Sequence, residues 1–172
     1  IKILNQHNNW KAIVIGDEPR EKLIFKHKNL TVAGFKNNTY ILNFLKRVSI
    51  SVVCSRWNEP FGRTSLEAAS RGSAVIISNR GGLPETAKDA IVLKSLTSEN
   101  LFNTIEKLIK NKNLLLNLQK KNYLHFEFNH KFITAIIDKI RKQLLPEKNF
   151  GLFNIKKNIV LKVLHITNFN ER

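Results

Sequence analysis

Two carboxylates stand close together in the segment Glu59-Pro60-Phe61-Gly62-Arg63-Thr64-Ser65-Leu66-Glu67. Pro60 and Gly62 favour a turn, and residues 63–71 read as a helix stopped by Gly72. Glu59 then lies in the loop ahead of the helix, and Glu67 about one turn inside it. A helix N-terminus presents free N–H groups and a partial positive charge, which suits a diphosphate. Gly62 lets the backbone come close to such a ligand. A loop carboxylate can accept hydrogen bonds from hydroxyls, and a carboxylate one turn on can grip a second diol such as a ribose. Two acids beside a diphosphate repel it unless each is held by hydroxyls. The segment therefore suits an anion with hydroxyls at both ends, the chemistry of a nucleotide sugar. The bland alternative is that Glu59 and Glu67 only favour the helix dipole, and the pair alone does not separate the two.

The elements that must hold this segment alternate between strand and helix. Residues 11–15 form an apolar run ending at Gly16-Asp17, a buried strand followed by a turn, and residues 30–34 form a second strand. Asn38 can cap a helix over 39–48, with Ile41, Leu42 and Leu45 on one face. Residues 50–54 make a third strand, directly ahead of the Glu59 loop. In the helix over 63–71, Leu66 and either Ala69 or Ser70 are expected to face inward. Residues 74–78 make a fourth strand, Gly81 to Glu85 a turn into a short helix, and residues 90–93 a short last strand. Strands joined through helices pair in parallel by right-handed crossovers, so the fold class is α/β, a Rossmann-like parallel sheet flanked by helices. Ligands on such sheets bind beyond the carboxyl ends of the strands, where Glu59 and Glu67 fall.

From Ser98 the sequence turns helical. Ser98 and Glu99 open a segment with Leu101, Ile105, Leu108 and Ile109 in phase. A second helix runs over 113–123 and a third over 130–144, with Phe132, Ile133, Ile136, Ile137 and Ile140 expected inward and Pro146 ending it. The expected organisation is a domain over 1–145, a linker over 146–157, and a terminal strand over 158–172. That strand either adds to the same sheet or opens a further module.

With 172 residues, 42% hydrophobic, the chain can bury a core. It has no apolar run long enough to span a bilayer and no signal-peptide pattern at its start. The absence of methionine is read as a missing natural start. The lone Cys54 cannot form an internal disulfide, which fits a reducing compartment, and on a strand it reads as core. The five histidines show no ligand spacing, and no metal site is expected. The net charge of +16 reads either as attraction to an anionic partner or as a Lys-, Asn- and Ile-rich composition. The lysines are spread along the chain without interleaved aromatics, so nucleic acid is not the expected partner. The Lys- and Leu-rich stretch over 107–121 is either a solvated helix face or a surface for anionic lipid.

The combination of blocks resembles the family-4 retaining glycosyltransferases of the GT-B fold, over about residues 10–144. The blocks are Ile-Val-Ile-Gly-Asp (13–17), Leu-Thr-Val-Ala-Gly-Phe (30–35), Ser55 with Glu59-Pro-Phe-Gly and Glu67-Ala-Ala, Gly72-Ser-Ala-Val-Ile (72–76) and Gly81-Gly-Leu-Pro-Glu85, in family order. The resemblance implies the donor-binding, C-terminal half of such an enzyme, with a UDP- or GDP-sugar as substrate and no separate cofactor. It implies that Glu59 contacts the donor sugar as the catalytic-site carboxylate, and that Phe61, Gly62, Arg63 and Thr64 hold the diphosphate. It implies that Glu67 binds the ribose, that Gly34 and Phe35 lie against the base, and that Gly16 sits close to the nucleotide. Gly81 and Gly82 would give a tight turn near the site, with Glu85 either a helix cap or a ligand contact.

The sequence departs from the pattern at Glu18, where the family often has glycine, and at Arg63, where an aliphatic residue is also common. The resemblance implies that the Arg and Lys with which the family neutralises the diphosphate lie upstream of a start such as this one, and nothing in residues 1–10 clearly supplies them. The resemblance further implies transfer to a surface glycan or lipid-linked acceptor held by a preceding domain, so that the chain alone would be inactive. It implies a cytoplasmic location, with peripheral contact at an anionic membrane left open. A GT-B nucleotide-sugar epimerase is the nearest alternative, and a basic nucleic-acid-binding module the alternative from another class.

Overall fold

The computed structural model describes residues 1–16 and 25–144. Asp17, Glu18, and the expected linker over 146–157 and strand over 158–172 lie outside the described residues. The chain divides into two compact units, Ile1–Glu127 and Phe128–Arg172.

The first unit is built on five strands in two sheets, every pairing parallel. Strands β1 (Ala12–Val14) and β2 (Leu30–Val32) pair with Val14 opposite Val32. Strands β3 (Ile50–Val53), β4 (Ala74–Ser78) and β5 (Ile91–Leu93) form a sheet in that order, with Val53 opposite Ile77 and Ser78 opposite Leu93. The five strands predicted over residues 11–93 are all present, each within two residues of its expected ends, because short apolar runs between turn residues have few other solutions.

Helix α1 (Lys2–Gln6), which the sequence reading does not anticipate, precedes β1. Five residues carry too little periodicity to show it, and only Leu4 is buried. Helix α2 (Asn38–Leu45) lies between β2 and β3, α3 (Arg63–Ser70) between β3 and β4, and α4 (Leu83–Thr86) between β4 and β5. Helices α5 (Ser98–Lys110) and α6 (Lys112–Leu124) follow the sheet. In α2 the cap is Asn37 and not Asn38: the Asn37 carboxamide oxygen accepts from the Tyr40 N–H at 2.8 Å. In α5 it is Thr97, whose hydroxyl accepts from Asn100 N–H, so Ser98 is already helical. Asn111 ends α5 and caps α6, accepting from Leu114 N–H at 2.9 Å.

Strand β4 is buried at every position and separates two cores by the two-residue alternation of a strand. Val75 and Ile77 face Leu45, Ala68, Ala69, Leu83 and Ala87 of the α2–α4 side. Ala74 and Ile76 face Leu93, Leu108 and Leu115, with Trp10 and Cys54 packed alongside. The inward stripe of α3 is Ser65, Ala68 and Ala69, while Leu66 and Ser70 are only half-buried. The helix starts at Arg63 in the phase set by Gly62, and residues at i, i+3 and i+4 share its inner face. Burial pushes the Cys54 thiol up, which keeps it protonated near neutrality and makes it a packing residue.

The amino ends of β3 and β4 are tied down by α6. Gln119 Nε2 donates to Ser49 O at 3.0 Å and buried Asn122 Nδ2 to Ser73 O at 2.7 Å, while Ala74 N–H joins Ser49 O. The opposite, carboxyl ends are left to the loops.

In the second unit, the described element is α7 (His130–Leu144), whose bounds match the predicted helix. Asn129 accepts from Phe132 N–H at its start. Its apolar residues are not inward as expected: none is buried, Ile133, Ile136, Ile137 and Ile140 are exposed and Phe132 is half-buried. Periodicity reveals an apolar face and leaves open what covers it. Among the described residues no helix is long and apolar enough to cross a membrane.

Replacing Asn122 by Ala strips the Ser73 carbonyl of a buried donor and is expected to destabilise the first unit by about 1–3 kcal/mol. Urea unfolding should show a lower midpoint with an unchanged slope.

Candidate functional site

The β3–β4 ladder ends at Val53 and Ile77, and a side chain takes over from the backbone there. Ser78 Oγ accepts from Ser55 N–H at 3.0 Å and donates to Ser55 O at 2.9 Å. This pins Ser55 at the mouth of the sheet and releases the following chain into the loop that carries Glu59. The hydroxyl of Ser55 itself is buried and has no partner among the described residues.

The loop is held from the far side by the two glycines ahead of α4. Glu59 and Gly81 form an isolated parallel bridge, and Gly82 N–H donates to Glu59 O at 2.7 Å. Gly81 adopts a left-handed φ of 56°. A Cβ there would run into the Glu59 carbonyl oxygen and lie 2.7 Å from its nitrogen. One on Gly82 would lie 2.8 Å from Pro60 O. The diglycine therefore does more than make the expected tight turn: it lets one backbone lie directly on another. Glu85 is exposed in the first turn of α4, where its charge suits the dipole; among the described residues it accepts no capping hydrogen bond, and the Gly82 cap offers no side chain.

The start of α3 is fixed in the same way. Gly62, buried and left-handed at φ 76°, is its cap. Its carbonyl accepts from the N–H groups of Ser65 and Leu66 and from Ser65 Oγ at 2.6 Å. Ser65 Oγ lies 3.2 Å from Thr86 Oγ1, so hydroxyls buried between α3 and α4 lock the turn. Among the described residues no backbone acceptor meets the N–H groups of Arg63 and Thr64, which stay open as a helix N-terminus leaves them. Phe61 and Thr64 are exposed beside them.

Glu67 is largely buried, its side chain 17% exposed. Its Oε1 accepts from Arg63 Nε at 2.8 Å and from Asn38 Nδ2 at 2.9 Å. No partner meets Oε2 among the described residues. The Glu59 side chain is half-buried and has no ion pair or hydrogen bond among the described residues. On the β1–β2 side, Gly16 N–H donates to Gly34 O at 3.0 Å, pairing the two left-handed turn glycines beyond the strand ends. Phe35 follows, 77% exposed, two residues before Asn37, the cap of α2.

The predicted site residues are thus arranged along the carboxyl edge of the strands. Glu59, Gly62, Arg63 and Thr64 share one turn. Glu67 joins that turn through Arg63, and the Gly16–Gly34–Phe35 turn leads into α2, whose Asn38 reaches Glu67. Three contributors are missed by the sequence reading. Asn38 is read as a cap, and Ser65 and Thr86 carry no motif, since single hydroxyls and amides reveal a role only through their partners.

Parallel strands flanked by helices in this order make the α/β fold of GT-B glycosyltransferases, and solved structures of that class match it. The chain superposes on Anabaena Alr3699/HepE in complex with UDP with a TM-score of 0.65 at 18% identity, covering 79% of this chain and 42% of that one. It superposes on sucrose-phosphate synthase from Thermosynechococcus elongatus with a TM-score of 0.61 at 22% identity, covering 77% and 38%. Residues 1–125 match the family of glycosyl transferases group 1, and the chain belongs to that family. It is 30% identical over 118 residues to the lipopolysaccharide core biosynthesis mannosyltransferase LpcC of Rhizobium leguminosarum, covering 61% of this chain and 33% of LpcC. It is 25% identical over 123 residues to the lipopolysaccharide 1,2-N-acetylglucosaminetransferase of Salmonella typhimurium, covering 61% and 32%. The chain spans about a third of the length of these curated relatives.

Gly34 and Gly81 provide a controlled comparison, since both are left-handed, at φ 62° and 56°, and only Gly81 has backbone where a Cβ would stand. Gly34→Ala is expected to cost about 1–3 kcal/mol from backbone conformation alone. Gly81→Ala should cost measurably more in urea unfolding, because the Glu59 loop must move; equal costs would show that the backbone contact contributes nothing.

Proposed function

We propose that this chain is the nucleotide-sugar half of a retaining family-4 glycosyltransferase, with residues 1–145 as its donor domain. The observation that carries the reading is the placement of Glu59 and Glu67 on either side of the open N-terminus of α3, each with acceptor capacity to spare. In this reading the N–H groups of Arg63 and Thr64, with Phe61 and Gly62 beside them, hold the diphosphate of a UDP- or GDP-sugar. Oε2 of Glu67 accepts from the ribose hydroxyls. Phe35 and Gly34 lie against the base, and Gly16 borders the nucleotide. Glu59 accepts from hydroxyls of the donor sugar and sets the direction in which its anomeric carbon faces.

The chemistry asked of these groups is positioning and charge stabilisation. As the glycosidic bond to the diphosphate breaks, negative charge grows on the leaving phosphate. Fixed N–H dipoles and the Arg63 guanidinium stabilise that charge without having to reorganise. The acceptor hydroxyl attacks from the side where the leaving group departs, which gives retention. The UDP and UDP-glucose complexes of the Anabaena structure support a nucleotide-sugar ligand. The two lipopolysaccharide transferases support a cell-surface glycan or lipid-linked acceptor, held by a further domain. A cytoplasmic enzyme working at the inner face of the cell membrane fits such an acceptor, and a donor domain by itself would not transfer sugar.

Calorimetry of the full protein with UDP-glucose and GDP-mannose tests the reading. One of the two is expected to bind, and Glu67→Ala to weaken that binding about tenfold or more through loss of charge-assisted hydrogen bonds. Binding of neither nucleotide, or a Glu67→Ala protein with unchanged affinity, would sink it.

A further inference from the structure

We propose that Asn38 is a positioning residue for nucleoside recognition: its amide, together with Arg63, occupies Oε1 of Glu67 and so dedicates Oε2 to the ribose. The proposal rests on the donor-site reading above and adds to it a residue that no sequence block singles out.

A glutamate side chain has three rotatable bonds, and an unheld carboxylate samples many directions. Glu67 is held at one oxygen by donors from two elements, Asn38 Nδ2 of α2 at 2.9 Å and Arg63 Nε of α3 at 2.8 Å. A carboxylate only accepts, so the Asn38 amide must present its NH2 to it. With Oε1 doubly occupied, the oxygen open to a ligand is Oε2.

The two donors are not equivalent. The Arg63 side chain is 71% exposed, and its i,i+4 pair with Glu67 is screened by solvent and salt. It bonds through Nε, and its Nη amines have no ion-pair partner among the described residues, so a phosphate can draw them off. Asn38 is short and neutral, and its backbone is fixed by the Asn37 cap on the turn before. It therefore keeps Glu67 aimed when Arg63 swings to the ligand. Asn38 also stands three residues beyond exposed Phe35, so the loop expected to meet the base and the carboxylate expected to meet the ribose are joined by one short, capped piece of chain. A purely structural role is the rival: the same bond pins α2 to α3, and its loss would lower stability without touching recognition.

The test measures dissociation constants of the full protein for UDP-glucose or GDP-mannose, whichever it binds, and for the 2′,3′-dideoxyribose analogue of that nucleotide. Asn38→Ala is expected to weaken binding about five- to twentyfold, the scale between an ordinary net hydrogen bond and the weaker of those to charged groups, as suits an exposed one. Asn38→Asp, nearly the same shape, should weaken it further by placing a like charge against Glu67. Asn38→Ala added to Glu67→Ala should cause no additional loss, because one acts through the other. On the dideoxy analogue, wild type and Asn38→Ala should converge to within about twofold, since the missing hydroxyls remove the contact that Asn38 serves.

Melting temperatures of all variants report separately on the fold, and Asn38→Asp carries the test should Asn38→Ala not fold. Unchanged affinity in both Asn38 variants, or a loss of equal size on the dideoxy analogue, overturns the proposal while leaving a Glu67 effect intact. A wild-type protein that binds neither nucleotide overturns this proposal and the donor-site reading together.

Discussion

Backbone lying on backbone is the constraint from which the rest of the site follows. Gly81 and Gly82 bring the end of β4 against residues 58–61 so closely that no side chain fits between them. That contact fixes Glu59. It also sets where the chain turns at Gly62, and through Gly62 it sets the start and phase of α3. The phase in turn buries Ser65, Ala68 and Ala69 and leaves Glu67 on the side that meets Asn38. A distortion at one pair of glycines would thus be felt at both carboxylates, though they sit on a loop and a helix.

The two ends of the strands divide their duties. At the amino ends, Gln119 and Asn122 of α6 satisfy carbonyls and add nothing for a ligand to use. At the carboxyl ends, hydrogen-bonding capacity is left over among the described residues: N–H groups at Arg63 and Thr64, one oxygen of Glu67 and the carboxylate of Glu59.

Much of this was legible in the sequence, for reasons that can be named. The strands were readable because apolar runs such as Ala74–Ser78 end in turn residues. The carboxylates were readable because Glu59, Gly62 and Glu67 straddle a strand-to-helix turn. What escaped depended on three-dimensional neighbours. Asn37 and Asn38 are both good caps by type, and only the hydrogen bonds distinguish the one that caps α2 from the one that reaches Glu67. Leu66 is the most apolar residue of α3, yet two alanines and a serine face the core, because helix phase and the nearness of β4 outrank hydrophobicity there. In α7 the spacing of isoleucines gave the helix and its apolar face correctly and misplaced that face inward.

Strand β4, packed on both faces, has a consequence for how such a domain can change over generations. Ala74, Val75, Ile76 and Ile77 each touch one of two cores, so an added methylene or a lost one is penalised wherever it falls. The loops at the strand ends are under no such pressure except at the glycines. Mutational tolerance is therefore lowest along β4 and highest in the loops at the carboxyl ends of the strands, their glycines apart. An immovable plank with adjustable fittings at one end can acquire a new ligand preference without having to solve its folding again.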